Sequence, residues 1–598
     1  MTRNEMDRYS FNPTNVDRPR STFHMPHRTL LSGDISRVIP FDCFEVLPGD
    51  SFSVNTSLVA RLQPLVAPVM DNLYLDTMYF YVPSRLVWEH FENLHGQNDT
   101  DYWTPDVQYS VPQLIFKDGN GNDVACKQGT IADYLGIPIN VVADNLSISA
   151  LPFRAYAKII NDWWRDENLQ NPVHLDISDS NSYYGVPDDD QVTGIEIGGF
   201  PFKANKIHDL FTSCLPQPQK SSEIILPIGD FAPVLPSGLY EFFGNNSTPS
   251  NQQRVNVDLR DGRFFSGVEI GQITDSEHWQ EGYVEGYVRG GSDYTLMRSG
   301  ASDLPGLMEH RSNASGTGGQ PQITPIFNNL VADLQNATGV SINDLRTSFQ
   351  LQKFAEASAR GGSRFLEMLK AHFGVTSPDA RLQRSEYLGG SRTPISVTQV
   401  TQTSSTSGQP TPMGDVAGQS VTNDYHDGFT KSFVEHGYVM GLCVLRYKHT
   451  YCQGIPKMFK RRTQFDFYYP EFANVGEQPI YEDEIYLIGK GEDTSIKNSD
   501  VFGYAEAWAN GYRYIPDKCC GEMRPQASNT LSSWHFADDY KAPPTLTAEW
   551  IREDLKPVDR ALAVSSEVAN QFFADFYIDT KATRVMPLFS IPGLTDHH

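Results

Sequence analysis

In this chain of 598 residues, the side chains best suited to chemistry fall in one short run. Lys457-Met458-Phe459-Lys460-Arg461-Arg462 is followed closely by Phe465, Phe467, Tyr468 and Tyr469. Cations interleaved with rings suit single-stranded nucleic acid, because phosphates meet Lys and Arg while bases stack on aromatic faces. A structural reading fits the same residues: the rings would be core strand residues, and the cations would pair with neighbouring acids. Lys457, Lys460, Arg461 and Arg462 are the candidate nucleic-acid contacts, with both readings open at this point.

No enzymatic constellation accompanies them. Gly489-Lys490-Gly491 lacks the leading glycine spacing and the hydroxyl of a phosphate loop. Glu435-His436 runs into Gly437-Tyr438 with no second His four positions on, so no zinc-protease helix is present. Gly290-Gly291-Ser292 continues into Asp293-Tyr294 and makes no nucleophile elbow. The acid runs Asp188-Asp189-Asp190 and Glu482-Asp483-Glu484 read as solvated faces. The seven cysteines (43, 126, 214, 443, 452, 519 and 520) are scattered and show no C-x₂-C pair. They read as reduced, mostly buried small hydrophobes. No catalytic, cofactor-binding or metal-ligating residue is assigned, and the chain reads as a non-enzyme.

The elements that must position the basic run are mostly strands. Phe52, Val54, Thr56 and Leu58 alternate with polar neighbours after the turn Pro48-Gly49-Asp50. Leu73 to Val82 is apolar and aromatic on both parities, as in a strand covered on two faces. Phe433 to Tyr447 is a third long candidate, whose glycines suggest bulges. Helices are few. Tyr156, Ile159, Ile160, Trp163 and Trp164 share one helical face within a predicted helix at 152–169. A second helix opens at the capping box Ser341-Ile342-Asn343-Asp344, turns Ile342, Leu345 and Phe349 inward, and stops at Gly361-Gly362. A third runs from Ser363 through Leu366 and Leu369 to Phe373.

Composition agrees with strands joined by many loops. The aromatic fraction is 12%, with 28 Tyr and 34 Phe, against only 20% charged residues. The length exceeds what a single core usually supports, so two or more units or large insertions are expected. Neither a membrane-spanning apolar run nor a secretory h-region is visible, which predicts a soluble chain made in a cytoplasm. The net charge of −25 argues against a chain that coats nucleic acid over its whole surface, but leaves room for one basic face. Residues 1–30 form such a local exception: Arg3, Arg8, Arg18, Arg20 and Arg28 stand against three acids, with no periodicity, and read as an extended basic arm. From about 229 to 325 the chain turns to Gly, Ser, Asn and Asp with short strand-like pieces such as Gly282 to Arg289, too long for an ordinary loop. Thr398 to Ser420 reads as a long polar surface loop.

Several segments together resemble the major capsid proteins of the Microviridae, in particular the gokushovirus branch. The most telling is Leu351 to Gly390, LQKFAEASARGGSRFLEMLKAHFGVTSPDARLQRSEYLGG. Leu151 to Gln170, Asp209 to Lys220, Gln453 to Gln478 and Ser36 to Asp50 support it, and the likeness is weakest at about 229–325.

The resemblance implies a mainly β chain: a viral eight-stranded antiparallel jelly roll with long inter-strand insertions that hold the helices. The expected organisation is a basic arm at 1–30, a first part of the jelly roll at 31–228, a variable insertion at 229–325, a second part at 326–579 with helices at 341–373, and an extended tail at 580–598. It further implies sixty copies in a T=1 shell around a circular single-stranded DNA genome, with the insertion as a threefold protrusion that meets a host receptor. Expected partners are other copies of the chain, the genome, a small basic DNA-binding virion protein, scaffolding and pilot proteins, and the receptor, with no membrane insertion and no cofactor. The expected location is the virion, assembled in the bacterial cytoplasm, with Lys457, Lys460, Arg461 and Arg462 facing the DNA-filled interior. A carbohydrate-binding jelly-roll protein is the alternative from another class.

Overall fold

The structure is a computed structural model. It describes residues 20–97, 108–220, 342–361, 365–374, 383–403, 414–492 and 495–589, and within 221–341 the strands alone. The chain divides into two compact units, one built from the segments up to Ser222 and from Phe354 onward, the other from Glu223–Lys353.

The first unit is organised by nine strands: β1 (Ser21–His24), β2 (His27–Gly33), β3 (Ile39–Val46), β4 (Ser51–Leu62), β5 (Leu73–Pro83), β6 (Glu386–Pro394), β7 (Thr422–Ser432), β8 (Gly437–Tyr447) and β9 (Phe572–Arg584). They form two antiparallel sheets. In one, β9 pairs with β1, β2 and β4, and β4 pairs with β7. In the other the order is β6-β5-β8-β3. The expectation of a mainly β chain holds.

Alternation explains how the sheets meet. In β4 the residues Phe52, Val54, Thr56 and Leu58 are buried while their neighbours are not, and in β9 the inward set is Phe572, Ala574, Phe576 and Ile578. Both sets join β3, β5 and β8 in one core. Phe41 stacks on Phe576 at 4.4 Å between ring centres, and Thr56 Oγ1 lies 2.9 Å from the Tyr79 hydroxyl. One glycine of β8, Gly441, has the role expected of it. A Cβ on Gly441 would lie 2.7 Å from Phe41 Cζ, and the register with β3 shifts at Gly441/Leu442.

β5 and β8 are buried on both faces. Their second face carries Phe80, Val82, Tyr438, Met440 and Leu442, which pack against α1 (Leu151–Ile159), Trp88 and Leu114 in a second core. After Ile159 the helix widens into a π turn, Ile160–Trp164. The extra residue in that turn rotates the residues beyond it about the helix axis. Trp164 is buried, but Trp163, expected on the same inward face, is 39% exposed; its indole N–H donates to the Ser385 carbonyl at 3.0 Å.

Other sequence expectations are corrected. Residues 20–30 of the predicted arm carry β1 and most of β2, because β9 pairs with both, β2 turning Leu31 inward and leaving Leu30 exposed; residues 1–19 lie outside the described residues. At the other end β9 continues through Thr580 to Arg584. The polar stretch after Thr398 is no plain loop: Val397–Thr401 and Val416–Ser420 pair as a hairpin, held by β-branched residues. The helix Ile342–Arg360 forms over the expected span, with Ser341 outside the described residues, yet Phe349, expected inward, is 63% exposed. An apolar stripe specifies a helix face but not the surface that covers it. The third helix, Phe365–Phe373, ends at Gly374 with φ +68°.

In the second unit the described elements are short strands and the first part of the helix that opens at Ile342. Leu239–Phe243, Arg254–Asp258 and Arg263–Phe265 form one antiparallel sheet, and Glu285–Gly290, Asp293–Ser299 and Met308–Ser312 another. The first of that second trio matches the strand-like piece noted at 282–289.

Candidate nucleic-acid interface

The basic run lies beyond β8. After Tyr447 the chain passes through a buried polar knot, where His449 sits between Asp538 and Glu553. Past Gln453 it makes three tight turns: Lys457–Lys460, Gln464–Asp466 and Pro470–Phe472. Pro456 and Pro470 set φ for the first and third. Thr463 and Asp466 build a capping box for the second. The Asp466 carboxylate accepts the main-chain N–H of Arg462 at 2.7 Å and of Thr463 at 2.6 Å, and these bonds hold its pKa below the usual carboxylate value.

The structural reading of the run is half right. The lysines do pair with acids. Lys457 Nζ lies 2.7 Å from Glu484 Oε1, and Lys460 is bonded to Asp483 and lies 3.6 Å from Glu484. Both ammonium groups also lie over the Tyr481 ring, at 5.2 and 4.5 Å. The acids receiving them are not a solvated face, as their run suggested. Glu482 and Glu484 are buried in the short helix Glu482–Ile485, and burial beside Asp500 pushes Glu482 up to about 7.

The aromatics, in contrast, are not core residues. Phe459 is 70% and Phe465 69% exposed, and Phe467, Tyr468 and Tyr469 are exposed with them. They are ordered by each other and by a second segment. Arg461 lies 4.0 Å over the Tyr512 ring and 5.8 Å over Phe467. Tyr468 packs edge-on to Trp508 at 5.7 Å, and its N–H donates to the Tyr512 hydroxyl at 3.2 Å. Trp508 adopts φ +61° and donates its indole N–H to the Phe472 carbonyl at 2.7 Å. Arg462 is exposed.

The result is a surface of ring faces with a guanidinium laid on one of them. It can stack planar groups and place a positive charge beside them. Its long-range positive potential is small, since two of the four cations meet buried carboxylates. Tyr512, Trp508 and Glu484 were missed in the sequence. Only the aromatic pair flanking Asn510-Gly511 hinted at them, and nothing local linked that turn to the basic run. Beside the surface lies a cavity of about 150 Å³ lined by Phe211, Tyr451, Ile455 and Met458, among others.

Among the described residues, no helix is long and apolar enough to cross a membrane, and no group of three or more His, Cys, Asp or Glu could hold a metal ion. All seven cysteines are unpaired; Cys126, Cys214, Cys443 and Cys452 are buried, and Cys520 is exposed.

Comparison with known proteins covers almost the whole chain. A family model described as capsid protein (F protein) matches residues 13–594. Capsid protein VP1 of Spiroplasma virus 4 is 39% identical over 581 residues, 96% of this chain and 95% of that protein. Capsid protein VP1 of Chlamydia phage 1 is 35% identical over 98% of both chains. Capsid protein VP1 of Bdellovibrio phage phiMH2K is 35% identical over 97% of this chain and 96% of its own.

Proposed function

We propose, from the premise that this chain belongs to the capsid protein (F protein) family of phages, that sixty copies of it close a T=1 shell around a circular single-stranded DNA genome. As a capsid protein it is structural, not an enzyme and not a soluble carbohydrate-binding module, and it works by assembling into a multi-copy shell of the virion. The observation that carries the reading is the span of the likeness: capsid proteins match from one end of the sequence nearly to the other.

In this reading the shell wall is a jelly roll. Its support is the strand order. With β1 set aside, each sheet has four strands, β2-β9-β4-β7 and β6-β5-β8-β3. Two interlocked Greek keys distribute strands between sheets in this way. Contacts between copies in such assemblies commonly bury about 2,000 Å² or more, and symmetry reuses the same patches on every copy.

The unit Glu223–Lys353, which includes the Gly- and Ser-rich stretch at 229–325, is the protrusion at the threefold axes that meets the host receptor. Its separate compactness and its insertion between β5 and β6 support this role. The charge of −25 fits delegation of genome neutralisation to a small, strongly basic virion protein. Scaffolding and pilot proteins complete assembly in the host bacterial cytoplasm. Arg461 and Arg462 face the interior and contact DNA, with Phe467 and Tyr512 as stacking platforms; Lys457 and Lys460 hold that surface to Glu484 and Asp483.

Excising residues 235–315 and closing the gap with a short linker tests the division of labour. The expected result is intact shells that no longer adsorb to host cells. Loss of the shells would show that the insertion builds the threefold contact itself.

A further inference from the structure

We propose that Lys457 and Asn510 become joined by an intramolecular isopeptide bond, with Glu484 as the proton-transfer catalyst, whatever the copy number of the shell. One buried carboxylate holds both partners. Glu484, whose side chain is 1% exposed, accepts from Lys457 Nζ on Oε1 at 2.7 Å and from Asn510 Nδ2 on Oε2 at 2.5 Å. An amine and a primary carboxamide from distant segments are thereby neighbours on the two oxygens of one acid. The backbone geometry agrees: a Cβ built on Gly511 would lie 3.8 Å from Lys457 Cβ. Lys457, Glu484 and Asn510 all line the cavity of about 150 Å³, with Tyr451 and Ile455 on its wall.

An ion pair alone would need only Lys457 and Glu484. The carboxamide on the second oxygen adds the electrophile of an aminolysis. Lys460 also approaches Glu484, at 3.6 Å, but its closer partner is Asp483, so Lys457 is the amine presented to Asn510. The Tyr481 ring covers both ammonium groups and limits their hydration.

The step balances within these three side chains. The Glu484 carboxylate takes a proton from the Lys457 ammonium, and the freed Nζ lone pair attacks Cγ of Asn510. A Cγ–Nζ bond forms. Glu484 then returns that proton to Nδ2 and takes a second one from Nζ, the Cγ–Nδ2 bond breaks, and the ammonia picks up this second proton and leaves as ammonium through the cavity, whose rim at Met458 and Ile515 is exposed. One ammonium side chain and one primary amide give one secondary amide and one ammonium ion, with no oxidant and no further reactant, and the chain is left lighter by one ammonia. Positioning of this kind replaces a bimolecular encounter, and the shared carboxylate serves as base and then acid.

Asn510 has a competing nucleophile, since Asn-Gly sequences can close to a succinimide through the glycine nitrogen. Here the Gly511 N–H is committed to the Tyr514 carbonyl at 2.8 Å, which leaves Lys457 as the favoured partner.

Mass spectrometry of the full-length chain, intact and after trypsin, tests the bond. The expected chain is lighter than its sequence by one ammonia, with a missed cleavage at Lys457 and residues 449–460 recovered linked to residues 498–513. Lys457→Arg keeps the charge, and Glu484→Gln keeps the shape; both are expected at full mass. A wild-type chain at full mass with the two peptides separate would overturn the proposal. So would a lost ammonia traced to a hydroxylamine-sensitive succinimide at Asn510, or a bond that forms unchanged in Glu484→Gln.

Discussion

His449 Nε2 lies 2.8 Å from Glu553 Oε1, although 104 residues separate them in the chain. On its other side Nδ1 meets Asp538 at 3.0 Å, and all three side chains are buried. The Tyr540 hydroxyl adds a bond to Asp538 at 2.8 Å. An imidazole between two carboxylates inside the protein is held as the cation, so the knot fixes where the chain goes as it leaves β8. It is the anchor from which the aromatic surface extends.

This knot makes stability depend on pH in a defined direction. Burial alone would lower the His449 pKa, but Asp538 and Glu553 outweigh it and raise it to about 10. A raised imidazole contributes fully below its ordinary value of 6.5, and the contribution is lost as pH rises through about 10. Asp538 is shifted down, chiefly by His449 working against its own burial, and its contribution is lost only as pH falls below the ordinary carboxylate value of 3.8. Thermal unfolding of the wild type should therefore weaken from neutral pH toward 10, and His449→Gln should flatten that slope. His449→Ala leaves two buried carboxylates without their cation and should cost about 3–5 kcal/mol. Equal slopes in wild type and His449→Gln would mean that the imidazole is not held as a cation.

The Phe41–Phe576 stack predicts where the sandwich is most sensitive. Phe576→Ala should lower stability by about 3–5 kcal/mol, read from the urea midpoint. Gly441→Val should also destabilise, since its Cβ alone would approach Phe41 Cζ to 2.7 Å. If either variant kept the wild-type midpoint, the sheets would not meet through these residues.

The strands were the legible part of the fold. Alternation in β4 and the double apolar face of β5 give both their existence and their burial, because period and pairing are local properties of a strand. The links between distant segments were hidden. Nothing near Lys457 announces Glu484, and the acid run around Glu484 read as a solvated face although the helix buries Glu482 and Glu484. The rings after Arg462 were visible as a group, but their exposure was not, since it depends on Trp508 and Tyr512 from another turn. Trp163 failed for a different reason: a π turn changes the period on which the helical face was drawn. The His449 knot left no trace in spacing at all.

The aromatic surface yields a salt-dependence prediction. Binding of a short single-stranded oligonucleotide to the disassembled chain, titrated by fluorescence at several salt concentrations, should weaken as salt rises. Replacing both Arg461 and Arg462 with Ala should make that dependence shallower by roughly 0.7 per lost phosphate contact. Lys460→Gln should instead lower stability through loss of its bond to Asp483 and leave the salt slope nearly unchanged. An unaltered slope in the double arginine variant would place the DNA elsewhere.

Electron microscopy of particles purified from cells carrying the source genome, with this chain identified by mass, tests the shell most directly. The expected result is uniform small icosahedral particles of sixty copies, in which this chain is the dominant protein and single-stranded DNA becomes nuclease-sensitive only after opening. Recovery of the chain solely as a soluble monomer, with no particles in the preparation, would contradict it.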